Sequence, residues 1–328
     1  SLVRGRLGTR YPAPPMNTHA DDVILALDSG SQSSRALLFD AQGAVLAIGR
    51  GDHAPMKHPE EGAVEQDPVD IRDALFSSIR DCLRSWGGDP ARIKGGALTT
   101  QRNTVVPLDA AGEPLGDAVS WLDRRAAPRA SEPSRAVRGL LHVLGEEALI
   151  ARLLSKSVPR LWRHRQPDML AQVAKVAPLE AYLHHQLTGR VALAPGGCSG
   201  VFPFDGKRRG FNLSPVQLGL LGFEARWLPD VVEAGQPVGR IHAAAAAATG
   251  LPEGLTLYAC GGDKQAEALG AGVRVGTAGV AAVSLGTASS IVIPWRRPVA
   301  SMRYVWLTNA SCEPGSWSLE YMVFRGMW

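Results

Sequence analysis

The segment that most constrains the fold is Asp28-Ser29-Gly30-Ser31-Gln32-Ser33-Ser34-Arg35, set between apolar runs at residues 23–27 and 36–39. It predicts two strands joined by a tight turn, since Asp, Ser and Gly supply turn geometry while the flanking runs suit a sheet. After a second turn at Asp40-Ala41-Gln42-Gly43, residues 44–48 predict a third strand, so the chain opens as an antiparallel meander. A Rossmann unit would pass from its glycine loop directly into a helix, and that start is excluded here. A carboxylate at a strand end can hold a hydrated Mg²⁺ while the N–H groups of the following turn face phosphate oxygens. The octet is equally compatible with a plain hairpin, so its meaning depends on the rest of the chain.

Residues 280–293 repeat the design: an apolar run ends in Ser284-Leu285-Gly286-Thr287-Ala288-Ser289 and resumes as a β-branched run. Two such elements about 250 residues apart fit a phosphate gripped from both sides of a cleft. At 328 residues the chain exceeds what one core usually covers, and two domains are expected. The net charge of +4 is concentrated in a leader that carries Arg4, Arg6 and Arg10. The remainder is nearly neutral, which argues against nucleic-acid or membrane-surface partners. No run approaches the roughly eighteen apolar residues of a membrane span.

Residues 1–21 contain Pro12, Pro14 and Pro15 and read as a disordered leader. Cys82, Cys198, Cys260 and Cys312 show no CxxC pair and read as free thiols in a reducing cytoplasm. The pair His184-His185 is expected to be partly exposed helix surface. Asp67-Pro68 predicts a helix over 68–86, with Asp67 as N-cap and Pro68 at the first helical position. Strands are expected at 93–99, 105–108, 118–121 and 255–260, a helix-rich insertion at about 135–190, and a helix at 264–272. A boundary near residues 270–276, rich in glycine, divides an N-terminal domain at 22–272 from a second one at 273–328. Asp263, where a strand hands over to a helix, reads either as a helix N-cap or as a general base facing a cleft.

Taken in order, Asp28-x-Gly30-x-x-Ser33-x-Arg35, Gln101-Arg102, Trp121-x-Asp123-x-Arg125, Gly262-Asp263-x-Gln265 and Leu285-Gly286-Thr287 resemble the FGGY carbohydrate kinases, most strongly their glycerol-kinase-like branch. The resemblance implies an α/β, actin-like and RNase H-like ATPase fold, with mixed sheets flanked by helices around a cleft. It implies ATP-dependent phosphorylation of a primary hydroxyl on a polyol, ketose or related sugar, with Mg²⁺. Asp263 then matches the general base and Asp28 the metal-organising residue. Gly30, Ser31, Ser33 and Arg35, with Gly286 and Thr287, match the two phosphate loops. Gln101, Arg102, Asn103, Trp121 and Lys264 match the acceptor site, Arg102 alternatively being a structural ion pair with Asp123. A homodimer is compatible with the resemblance.

Departures from the glycerol kinase pattern bear on the acceptor. Asn103 stands where a glutamate is usual, Lys264 where a glutamine is usual, Ala288 for a glycine and Ser290 for an aromatic. These changes predict a more polar and more positive pocket, for an acceptor larger or more oxygenated than glycerol, or an acidic sugar drawn to Lys264. The resemblance also implies that family members continue past residue 328, so the second domain is expected to be incomplete and the nucleoside pocket absent. Two competing readings are an actin-like ATPase without a sugar acceptor and a non-catalytic sugar-binding fragment. The first leaves Gln101-Arg102 and Trp121-x-Asp123 without a purpose.

Overall fold

A computed structural model of the chain describes residues 21–127, 156–198, 202–277, 279–285, 289–299 and 306–323. The expected leader, apart from Asp21, lies outside the described residues, as do Gly286, Thr287 and Ala288 and the first part of the expected insertion.

The meander forms as its sequence predicts. Strands β1 (Val23–Ser29), β2 (Ser33–Asp40) and β3 (Val45–Asp52) pair antiparallel, with Asp28 opposite Arg35 across the β1–β2 hairpin. Third-strand pairing runs on to Asp52, beyond the expected 44–48, because Gly49 and Gly51 let a helix lie directly on the sheet. A Cβ at Gly49 would sit 2.0 Å from the Ser78 carbonyl oxygen, and one at Gly51 would sit 2.1 Å from that of Ala74. That helix, α1 (Pro68–Trp86), is capped by Asp67, whose carboxylate accepts from the Val69 N–H, and it ends at Gly87 with φ 66°. Its inner face buries Ile71, Leu75, Ile79 and Cys82 completely.

Beyond α1 the chain adds β4 (Ile93–Thr100) parallel to β1. After an excursion come α2 (Leu179–Thr188), β5 (Pro237–Arg240), α3 (Ala243–Thr249) and β6 (Thr256–Ala259). The sheet order is β5-β6-β4-β1-β2-β3, with β6, β4 and β1 parallel and adjacent. Within the expected helical insertion, residues Lys175–Pro178 instead form a strand that pairs antiparallel with Val105–Leu108. His184 corrects another expectation: it is fully buried on α2, its Nδ1 2.8 Å from the Ala192 carbonyl, and burial pushes its pKa down to about 4. The α2 face turned inward carries Glu180 one helical turn earlier, also buried.

Helix α4 (Asp263–Gly270) follows β6, and a second, wholly antiparallel sheet lies beyond it. Its order is β7 (Ala282–Leu285), β8 (Ser289–Trp295), β10 (Trp317–Val323) and β9 (Leu307–Ala310). Helix α4 packs against β7 and β8 and so stands between the two sheets.

Candidate active site

Three adjacent parallel strands end together. Register pairs Asp28 with Thr99 across β1 and β4, and Leu98 with Ala259 across β4 and β6. The residues that continue past those ends are therefore neighbours: Asp28 on β1, Gln101-Arg102 after β4, and Asp263 after β6. This is the edge of an open α/β sheet at which ligands bind, beyond the carboxyl ends of its strands.

Asp263 is not a helix N-cap. Gly262 occupies that position with extended backbone and makes no side-chain cap, while Asp263 is the first helical residue. Its carboxylate lies between two cations, Arg102 Nε at 3.6 Å from Oδ1 and Lys264 Nζ at 3.5 Å from Oδ2. Gly262 is required by the approach of Arg102, since a Cβ there would lie 2.4 Å from the Arg102 Cδ.

Arg102 is buried and turns its fork to Glu320, with NH2 at 2.8 Å from Oε2 and NH1 at 3.3 Å from Oε1. Burial works against the guanidinium charge, but Glu320 and Asp263 outweigh it and hold the pKa above the ordinary value. The alternative pairing with Asp123 does not occur. Asp123 instead binds Arg125 and accepts from the Val64 N–H at 3.0 Å, while Arg125 reaches Glu65 at 2.6 Å. The Trp-x-Asp-x-Arg motif thus ties down the loop that presents Trp121.

Trp121 Nε1 donates to the Ser31 hydroxyl at 3.1 Å, and Ser31 donates to Gln101 Oε1 at 3.0 Å. The Gln101 amide donates to Gln66 Oε1 at 3.0 Å, and Gln66 returns a bond to the Ser31 carbonyl at 3.0 Å. This closed ring fixes the amide of Gln101 and the face of Trp121. Ser31, expected on a phosphate loop, turns its hydroxyl to Gln101 and Trp121. The turn itself closes through the Gly30 N–H to the Ser33 carbonyl at 3.0 Å, with Ser33 buried. Asn103 sits at φ 62°, a left-handed conformation that Asn adopts more readily than the expected family glutamate would.

Asp28 and Arg35 form an ion pair of 3.3 Å. Burial lifts the Asp28 carboxyl above the ordinary carboxylate range; Arg35 opposes this, and the charge on Asp263 reinforces it. Two mutually repelling carboxylates at one cleft edge are a fitting donor set for Mg²⁺, which takes one or two carboxylates together with phosphates and water. Among the described residues no larger cluster of metal-ligating side chains forms.

Lys264 departs from expectation. Its ammonium lies 2.7 Å from Glu267 and 3.0 Å from the Ser284 hydroxyl on β7, in addition to Asp263. Burial disfavours its charge, but Asp263 and Glu267 prevail and raise its pKa. Its charge is therefore balanced locally by Asp263 and Glu267. Glu320, Gln66 and Gln265, the last bonded to Glu320, were not singled out by sequence. Gln265 stands in a quoted motif, whereas Glu320 and Gln66 carry no local signal.

A sequence model of the N-terminal domain of the FGGY family of carbohydrate kinases matches residues 23–270. The chain is 32% identical over 314 residues to a glycerol kinase of Alkalilimnicola ehrlichii, covering 92% of this chain and 61% of that protein. It is 28% identical over 310 residues to an autoinducer-2 kinase of Yersinia enterocolitica, covering 94% and 58%. The crystal structure of xylulose kinase from Rhodospirillum rubrum superposes with a TM-score of 0.76 at 23% identity, over 92% of this chain and 60% of that one. The chain thus spans about three fifths of the length of the curated relatives it matches. The architecture is the actin-like ATPase fold. A family match over most of the chain, on a fold that gathers its motifs at one sheet edge, makes this protein a member of the FGGY carbohydrate kinases.

Proposed function

We propose that this chain carries the acceptor-binding part of an ATP-dependent kinase that phosphorylates a primary hydroxyl of a neutral polyol or ketose. The observation that carries the reading is the meeting of Asp28, Gln101-Arg102 and Asp263 beyond three adjacent parallel strands. In this reading Asp263 accepts the hydroxyl proton as the oxygen attacks the γ-phosphorus. Arg102 and Lys264 flank that carboxylate and orient it. Phosphoryl transfer is accelerated mainly by such alignment and by charge stabilisation.

Gln101, Asn103 and Trp121 form the acceptor wall, held by the ring through Ser31 and Gln66. The turn at residues 30–33 and the guanidinium of Arg35 serve the phosphates, with Gly286 and Thr287 as the second loop. Asp28 would hold Mg²⁺, which when bound draws charge from phosphate oxygens. The local balance of Lys264 by Glu267 favours neutral acceptors over acidic sugars. The separate sheets support a division at 22–272 and 273–328. Four free cysteines suit a reducing cytoplasm.

Acceptor-dependent ADP release tests the reading. Asp263→Asn is expected to lower it by about 10²–10⁴-fold, the usual contribution of a general base. ATP hydrolysis independent of any polyol, and undiminished by Asp263→Asn, would instead favour an actin-like ATPase. The hydrogen-bonded wall around Trp121 argues against that alternative.

A further inference from the structure

Two of the four cysteines face each other. Cys260 leaves the end of β6, three residues before Asp263, and Cys312 lies in the turn between β9 and β10; their Sγ atoms are 4.0 Å apart. Cys82 and Cys198 are buried on other elements. The backbone on both sides of the pair is held. Thr99 Oγ1 donates to the Gly261 carbonyl at 2.8 Å, and a Cβ at Gly261, where φ is +139°, would lie 2.8 Å from the Cys312 sulfur. The opposite turn is closed by the Ser311 N–H to the Ser316 carbonyl at 3.1 Å, and Glu313 within it accepts from the Val275 N–H at 2.7 Å. A disulfide needs the sulfurs about 2.05 Å apart. Side-chain rotation with a small shift of the turn supplies the remaining approach.

We propose that Cys260 and Cys312 are a redox modification site that closes to a reversible disulfide when the protein meets hydrogen peroxide. In the first step the Cys260 sulfur attacks one peroxide oxygen. An S–O bond forms as the O–O bond breaks, and the departing hydroxide takes the thiol proton and leaves as water. The Cys312 sulfur then attacks the Cys260 sulfur; the S–S bond forms, the S–O bond breaks, and the second oxygen leaves as water with the Cys312 proton. Two thiols are oxidised by two electrons and one peroxide is reduced to two waters. Donation of the Cys312 S–H toward Cys260 lowers the Cys260 thiol pKa, which suits it as the attacking sulfur. Cys260 is also the partly exposed partner, whereas Cys312 is buried.

The bond would join the strand that leads to Asp263 to the hairpin that carries Glu320, and so tie the two sheets together beside the acceptor site. Treatment of the chain with hydrogen peroxide, followed by alkylation and mass spectrometry, tests this. The expected result is a loss of two hydrogens per chain, a fall from four alkylatable thiols to two, a Cys260–Cys312 linked peptide and full reversal by dithiothreitol. Cys260→Ser and Cys312→Ser each abolish the link, and Cys82→Ser leaves it intact. Should buried Cys312→Ser fail to fold, Cys260→Ser gives the same answer. Oxygen addition at Cys260 with Cys312 still alkylatable overturns the proposal, as does a folded protein that keeps all four thiols under peroxide.

Discussion

The two sheets are built differently although both contribute to one site. The six-stranded sheet is filled by its own sequence: Leu25 is 1% exposed and Leu98 is fully buried. The four-stranded sheet buries Val292, Ser290, Ser318 and Glu320 on one face, yet leaves Val283 61% and Tyr321 48% exposed on the other. The first sheet therefore positions the carboxyl ends of its strands on a core of its own. The second meets it through α4, which packs against β7 and β8, and through polar links, Arg102 to Glu320 and Lys264 to Ser284, so that the proposed acceptor site depends on charge pairing between the sheets.

Cutting the main link should have the largest effect. Glu320→Ala leaves Arg102 buried and without its bidentate partner, and is expected to cost about 3–5 kcal/mol in denaturant unfolding. A loss below about 1 kcal/mol would mean that the sheets do not depend on each other. Core truncation in the first sheet comes next: Leu25→Ala should cost about 2–5 kcal/mol.

The buried pair on α2 gives the third prediction. Burial raises the Glu180 carboxyl to about 8, while Ala194 donates to it, and lowers His184 to about 4. The raised carboxyl contributes stability that is complete below its ordinary value of 4.5 and is lost as pH rises to about 8. The lowered imidazole contributes stability that is complete above 6.5 and is lost as pH falls to about 4. The two slopes cancel between about pH 4.5 and 6.5. From pH 6.5 to 8 only the Glu180 slope remains, about 2 kcal/mol in all. Glu180→Gln should remove that alkaline decline relative to the parent, and an unchanged profile would place the titration elsewhere. The smallest effect belongs to the open face of the second sheet, where Val283→Ala should change stability by less than about 0.5 kcal/mol. A cost like that of Leu25→Ala would erase the contrast between the sheets.

The sequence made the local elements legible, because capping, turn chemistry and periodicity act over a few residues. The meander, the Asp67-Pro68 start of α1 and the position of Asp263 after a buried strand were all readable in this way. Long-range partners were not. Glu320 meets Arg102 across 218 residues, and Gln66 meets Gln101 across 35, pairings that no local pattern encodes. For the same reason a lysine that read as a free positive charge proved to be matched by Glu267 and Ser284. The burial of His184 follows from the packing of α2, which the polar His-His dipeptide concealed. The full length of β3 depended on a helix lying against Gly49 and Gly51, which a count of strand formers does not reveal.

The most direct test of the acceptor site is ligand-induced thermal stabilisation of the chain by glycerol, erythritol, pentitols, ketopentoses and sugar acids, repeated in Trp121→Ala. A ligand that binds only the folded state raises its stability by RT ln(1 + [L]/Kd), so weak binding is visible at high concentration. The predicted result is stabilisation by a neutral polyol or ketose, larger than by any sugar acid, that disappears in Trp121→Ala. Stabilisation by sugar acids alone, or by a polyol with equal strength in Trp121→Ala, would contradict the assignment of the wall formed by Trp121, Ser31 and Gln101.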